Sequence, residues 1–180
     1  MRLIVVLAAI LLASGCTLEP AEAPSEAPSK ATVEEFRVKA RAIDGDTVSA
    51  DFRLLGADAL ERKQQCERDG RCEPCGKTAQ DVAARLLKEG NAVLTLTGAM
   101  TYGRPVAAVT IGGKDLGEEM IARGLAIPLE QYLKKDPERA AAYERALKTA
   151  TASRAGMHAG RWVAPADWRR GERLFCERGA

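Results

Sequence analysis

The chain is 180 residues long, with 27 Lys and Arg against 25 Asp and Glu, a formal net charge of +2, and 46% hydrophobic and 29% charged residues. That length suits one domain with appendages. The balance excludes a wholly disordered chain and a nucleic-acid binder that works through a broad basic surface, so any contact with a polyanion has to be local.

The N-terminus reads as an export signal over residues 1–16. Met1-Arg2 is a short positive start, and Leu3 to Ala13 is an apolar run too short to cross a bilayer. Ala13-Ser14-Gly15-Cys16 then resembles a bacterial lipobox, with Ala13 where leucine is usual. The expectation is an exported chain, lipid-anchored in the cell envelope through Cys16 or secreted. Residues 17–32 are rich in Pro, Ala, Glu and Ser, bury too little to fold, and read as an extended tether.

From Val33 the pattern changes to that of a folded domain running to residue 170, with 171–180 as a tail. Phe36, Val38, Ala40 and Ala42 alternate with Arg37, Lys39, Arg41 and Ile43, which predicts a strand with one buried face. Thr47 to Ala50 and Asp51 to Leu55 predict two more. A polar loop follows from Glu61 to Gly76, then a helix over Lys77 to Glu89 with Ala79, Val82, Ala83, Leu86 and Leu87 at helical spacing and Gly90 as its stop. Asn91 to Thr97 and Pro105 to Ile111 predict strands. A short amphipathic segment stopped by Gly124 and an Ala-rich helix over Asp136 to Ser153, with Pro137 in its first turn, complete the set. Strands first and helices late, without regular alternation, predict an α+β fold.

The loop carries Cys66, Cys72 and Cys75, and Cys176 lies near the C-terminus. In an exported protein four thiols predict two disulfides, for which three connectivities exist; Cys66 with Cys75 is preferred as a clasp on the loop. Zinc knuckles are disfavoured by the spacing, and a redox role for Cys72 and Cys75 by the lack of a surrounding βαβ pattern. His158 is the single histidine, which argues against a Ser-His-Asp hydrolase and a histidine-rich zinc site. Trp162, Trp168 and Phe175 read as packing residues.

Chemistry concentrates between Ala42 and Glu61, where Asp44, Asp46, Asp58, Glu61 and Arg53 lie within twenty residues. Oxygen ligands suit Ca²⁺ or Mg²⁺, a further carboxylate can activate water, and arginine matches a phosphate by a two-pronged hydrogen bond. Thr101-Tyr102-Gly103-Arg104 adds a second arginine in a tight turn. In this order, D-G-D-T, F-R-L-L-G-x-D-x-x-E, Y-G-R and a helix ending R-G-L-A, the chain resembles the thermonuclease family, the staphylococcal-nuclease-like domains, over roughly Val33 to Trp168.

The resemblance implies a five-stranded OB-type β-barrel with about three α-helices, and a calcium-dependent nuclease cutting DNA or RNA with little sequence preference. It matches Asp46 and Asp58 to calcium-ligating aspartates, with the carbonyl of Ala59 as a further ligand and Asp44 close beside the site. It matches Glu61 to the residue that handles the attacking water, Arg53 and Arg104 to the phosphate-gripping arginines, and Tyr102 and Tyr132 to the nucleotide pocket. A monomer is expected. Two departures bear on geometry: Arg53 lies only seven positions after Asp46, and Leu60 stands where the family usually has proline. A chain that keeps the barrel as a binding or scaffold module and has lost the reaction is the rival reading. A thiol oxidoreductase is a third.

Overall fold

The computed structural model describes residues 38–178. The signal segment, Cys16, the tether and Phe36 lie outside the described residues. The first elements are β1 (Ala40–Ala42), β2 (Val48–Ala50), β3 (Arg53–Leu54) and β4 (Ala57–Ala59). The loop from Glu61 holds a small hairpin, β5 (Cys66–Arg68) and β6 (Arg71–Glu73), and is followed by α1 (Cys75–Leu86). Then come β7 (Ala92–Thr101), β8 (Arg104–Ile111), β9 (Lys114–Asp115), α2 (Leu116–Ala122), β10 (Ala126–Pro128), α3 (Pro137–Ala152) and α4 (Pro165–Arg169).

The architecture is α+β, as expected, but the described strands do not close into a barrel. They form one four-stranded sheet in the order β3-β8-β7, with β9 also on β8, and three separate pairs, β1-β2, β4-β10 and β5-β6. The ladder breaks at two places. The predicted strand over Asp51–Leu55 keeps only Arg53 and Leu54, leaving Asp51 and Phe52 exposed between β2 and β3. Gly56, at φ +66°, then turns the chain so that β4 leaves the sheet for β10; a Cβ there would lie 2.3 Å from a Leu133 methyl. The first strand also differs from its expected form: β1 is exposed along its whole length and has no buried face. Four α-helices are present among the described residues; the extra one, α4, is a five-residue segment.

The core forms where helical and strand periodicities meet. On α1 the residues Ala79, Val82 and Leu86 share one face and are buried. Ala107, Val109 and Ile111 of β8 and Leu116, Met120 and Ile121 of α2 meet them. Met120 and Ile121 are nearly inaccessible, and burial of each such side chain contributes about 1.5–3 kcal/mol. The α3 start is written locally: Asp136 caps the helix by accepting from Arg139 N at 3.0 Å, and Pro137 takes the first turn, where an amide proton would be unused. Asp115 ties α2 to α3. It caps α2 through Glu118 N (2.9 Å), accepts from the Tyr143 hydroxyl (2.7 Å) and receives Arg139 Nε (3.2 Å). Burial, with the bond to Asp115, pushes the Tyr143 phenol far above its ordinary value, so it stays a neutral donor.

Both disulfides lie beside this core. Cys66 joins Cys75 across the loop, with Cα atoms 5.7 Å apart. Cys72 joins Cys176, fixing the segment read as a tail to β6.

Candidate active site

Two adjacent strands supply the arginines. β3 runs parallel to β8 with Arg53 opposite Val106 and Leu54 opposite Ala107. Residues two apart on a strand share a face, so Arg104 and Val106 point the same way, and Arg53 points with them. Arg53 and Arg104 are therefore diagonal neighbours on the partly open face, while Pro105 and Ala107 face the core. Arg104 is delivered by a two-residue hairpin turn in which Tyr102 (φ 48°) and Gly103 (φ 74°) are both left-handed. Tyr102 projects from this turn, 93% exposed, and Tyr132 lies in a short 3₁₀ turn, also exposed.

Asp58 is the buried centre. It sits on β4 at 2% exposure, and two arginines reach it. Arg53 Nη2 donates to Oδ1 at 3.1 Å; Arg169 donates through Nη1 to Oδ1 at 3.1 Å and through Nη2 to Oδ2 at 2.7 Å. Arg169 Nη1 also donates to Glu61 Oε1 at 2.8 Å, so one guanidinium spans both carboxylates. A two-pronged bond of this kind is among the stronger polar contacts, and the bonds to Asp58 hold Arg169 protonated well above its already high ordinary value.

The backbone of Glu61 is fixed from below by Gln64, which is fully buried. Gln64 Oε1 accepts from Glu61 N at 3.1 Å, Gln64 Nε2 donates to Val163 O at 2.6 Å, and Gln64 N donates to Glu61 O at 2.7 Å. Gly76 makes room for this turn: a Cβ there would fall 1.7 Å from Glu61 O. The side chain of Glu61 remains about one third exposed and open to water.

The acidic residues expected as ion ligands do not converge. Asp46 lies on the exposed turn of the β1-β2 hairpin, its Oδ1 accepting from Thr47 Oγ1, and that hairpin pairs with no other described strand. Asp44 belongs to the same turn, accepting from Asp46 N at 3.3 Å; Thr47 and Asp46 hold its carboxyl below the ordinary value. Ala59 is engaged in register with Ala126 of β10. Among the described residues the one group of three ligand-type side chains with atoms within 4.8 Å is Cys66, Glu73 and Cys75, whose sulfurs are consumed by a disulfide. Both oxygens of Asp58 are held by guanidinium groups. The residues as arranged do not fit a calcium ion, which needs six to eight oxygen ligands at 2.3–2.6 Å.

Arg169 and Gln64 were not singled out in the sequence, and the C-terminal segment only for Cys176 and its packing aromatics. The segment is nevertheless strongly anchored. Glu67 and Arg161 exchange backbone hydrogen bonds at 2.8 and 2.9 Å. Glu177 accepts from Trp168 Nε1 and Gln65 N, both at 3.0 Å, and Arg173 stacks over Trp168 at 3.9 Å. Trp162 packs on the core and meets His158 edge to face, but Phe175, read as a packing residue, is 83% exposed. It lines an open cavity of about 520 Å³ with Arg161, Trp162, Arg173 and Arg178.

Among known families, the model described as staphylococcal nuclease homologue matches residues 51–160, more than half of the chain. No curated protein matches it. The matched span begins after the β1-β2 hairpin and ends before α4, so Asp44 and Asp46 lie ahead of it and Arg169 beyond it.

Proposed function

This chain belongs to the staphylococcal nuclease homologue family, and from that membership we propose that it hydrolyses phosphodiester bonds of DNA or RNA with little sequence preference. The observation that carries the proposal is the β3-β8 register, which sets Arg53 and Arg104 as diagonal neighbours on one partly open face, with Glu61 tied to Asp58 by Arg169. Two guanidinium groups at that spacing grip a phosphate and neutralise the charge that builds on its equatorial oxygens as the bond breaks. Glu61 accepts the proton of a water attacking phosphorus, and the departing sugar oxygen leaves on the opposite side. Tyr102, exposed two residues before Arg104, offers a face on which a base can stack. Contacts to phosphate and to base faces carry no sequence code, hence the low specificity.

The family's nucleases generally use Ca²⁺, but no step here is routed through an ion, because the Asp58 oxygens are taken by Arg53 and Arg169. The OB-type barrel is part of the proposal. Exposed Ile43 and Val48 on the β1-β2 hairpin, and Val93 and Leu94 on β7, are apolar surfaces of the kind that barrel closure covers. Two disulfides suit an oxidising compartment, which supports export; the envelope anchor at Cys16 is proposed on the lipobox-like Ala13-Ser14-Gly15-Cys16. We take the chain as a monomer.

The test is nicking of supercoiled plasmid and cleavage of single-stranded DNA, with Ca²⁺ and with chelator. Glu61→Gln and Arg104→Ala should each lower the rate by about 10²–10³-fold while the variants stay folded. Equal rates for Glu61→Gln and wild type exclude the role given to Glu61, and no cleavage by wild type in any of these conditions excludes the hydrolase. A second reading, a nucleic-acid-binding or scaffold module without the reaction, is favoured by the tie between Glu61 and Arg169. It predicts DNA binding without cleavage under every metal condition.

A further inference from the structure

We propose that Arg169 is the resident cation of this site: its guanidinium neutralises Asp58 and Glu61 where a divalent ion would otherwise sit, so that an ion binds only by displacing it. The inference takes its residues from the site assigned above and is read out by metal binding, so it can fail while the hydrolase stands, and the reverse.

Three observations converge. Arg169 meets both oxygens of Asp58 and one of Glu61, at 2.7, 3.1 and 2.8 Å. Three N–H groups already occupy Asp58, two on Oδ1 and one on Oδ2, so an ion bound at 2.3–2.6 Å through both oxygens would have to compete with Arg169. Charge is also balanced: Asp58 and Glu61 face Arg53 and Arg169, and a buried carboxylate requires such compensation. Adding a divalent cation with both arginines in place would leave two surplus positive charges, so the more exposed arginine has to leave; Arg169 is 37% exposed against 27% for Arg53.

The third observation is that Arg169 is held in position from both sides. Val163 is bonded to buried Gln64, Arg161 pairs with Glu67, and beyond the helix Glu177 and the Cys72–Cys176 bridge fasten the chain to Gln65 and β6. A side chain carried on a mobile tail would yield to an ion readily. One carried on a segment fixed at Val163 and Cys176 does not, because its effective concentration at the carboxylates stays high. Arg169 also lies outside the span matched by the family.

The experiment is calorimetric titration of the oxidised chain with CaCl₂, paired with melting curves with and without the ion. Arg169→Gln should bind Ca²⁺ at least about tenfold more tightly than wild type, and Ca²⁺ should raise its melting temperature far more than it raises that of wild type. Asp58→Asn added to Arg169→Gln should abolish the gain, which locates the ion at this carboxylate. Unchanged Ca²⁺ affinity in Arg169→Gln overturns the proposal, as does a gain that survives Asp58→Asn. If Arg169→Gln does not fold, Arg169→Met, which removes the charge and keeps much of the side chain's length, decides instead: tighter Ca²⁺ binding than wild type supports the plug, and equal binding overturns it.

Discussion

The two segments that flank the family-matched span are built in opposite ways. The β1-β2 hairpin ahead of it carries Asp44 and Asp46, is exposed throughout β1, pairs only with itself, and is braced by one exposed ion pair, Arg41 with Asp51. The segment behind it, from Arg161 to Arg178, is fixed by a disulfide, a backbone bridge and a buried amide, and it delivers Arg169 to Asp58 across 111 positions of sequence. The difference teaches that nearness in sequence to a reactive carboxylate is a poor guide to which groups touch it. What decides contact is whether a segment is fastened to the body, and here the distant one is.

Unfastening the C-terminal segment should therefore have the largest effect. Replacing Cys72 and Cys176 by serine frees a loop of 104 positions and should lower stability by about 3–4 kcal/mol in urea unfolding, less than the full loop-entropy value because Cys66–Cys75 remains. Next comes Arg169→Gln, expected to cost about 2–3 kcal/mol. That is below the figure for a fully buried pair, because Arg169 is 37% exposed and Arg53 stays on Asp58. Gln64→Ala strands Val163 O and Glu61 N, and about 2 kcal/mol should be lost; amide exchange at Glu61 should speed up at the same time.

A pH effect follows from His158, whose Nε2 is buried without a partner and whose imidazole burial pushes below its ordinary value. The unfolded chain takes up a proton near pH 6.5 that the folded chain refuses until lower pH. Stability should thus fall as pH drops through about 6.5 and level off below the folded value, and His158→Phe should remove that part of the slope in melting curves. The smallest effect belongs to the hairpin: Asp46→Asn should change stability by no more than about 0.5 kcal/mol. A loss comparable to that of Arg169→Gln would erase the contrast between the two segments.

Where one short window contained all the determinants, the sequence was readable. Asp136-Pro137 announced the start of α3, Gly124 the end of α2, and Tyr102-Gly103 the turn that delivers Arg104. Arg53 and Asp58, five residues apart, lie in contact within the motif that pointed to them. The β5-β6 hairpin was also within reach, since Asp69-Gly70 is a left-handed turn pair, at φ 50° and 73°, inside the loop predicted to be irregular. Barrel closure and the calcium ligands were inferred from likeness to other chains, and they depend on how the shortened Asp46–Arg53 stretch is accommodated. Arg169 could not be read at all: α4 is too short for periodicity to mark a face, and its partner lies more than a hundred residues earlier.

The bridge between Cys72 and Cys176 also sets an order of events during biogenesis. As the polypeptide emerges N-terminus first, Cys66, Cys72 and Cys75 appear within ten residues of one another, and all three are available to oxidants long before Cys176 arrives. Cys72 must wait unpaired between two close neighbours, and premature capture by either would leave Cys176 only the wrong thiol to pair with. Correct oxidation of this small protein thus depends on the nearer couple, Cys66 and Cys75, closing promptly and leaving the middle thiol for the last.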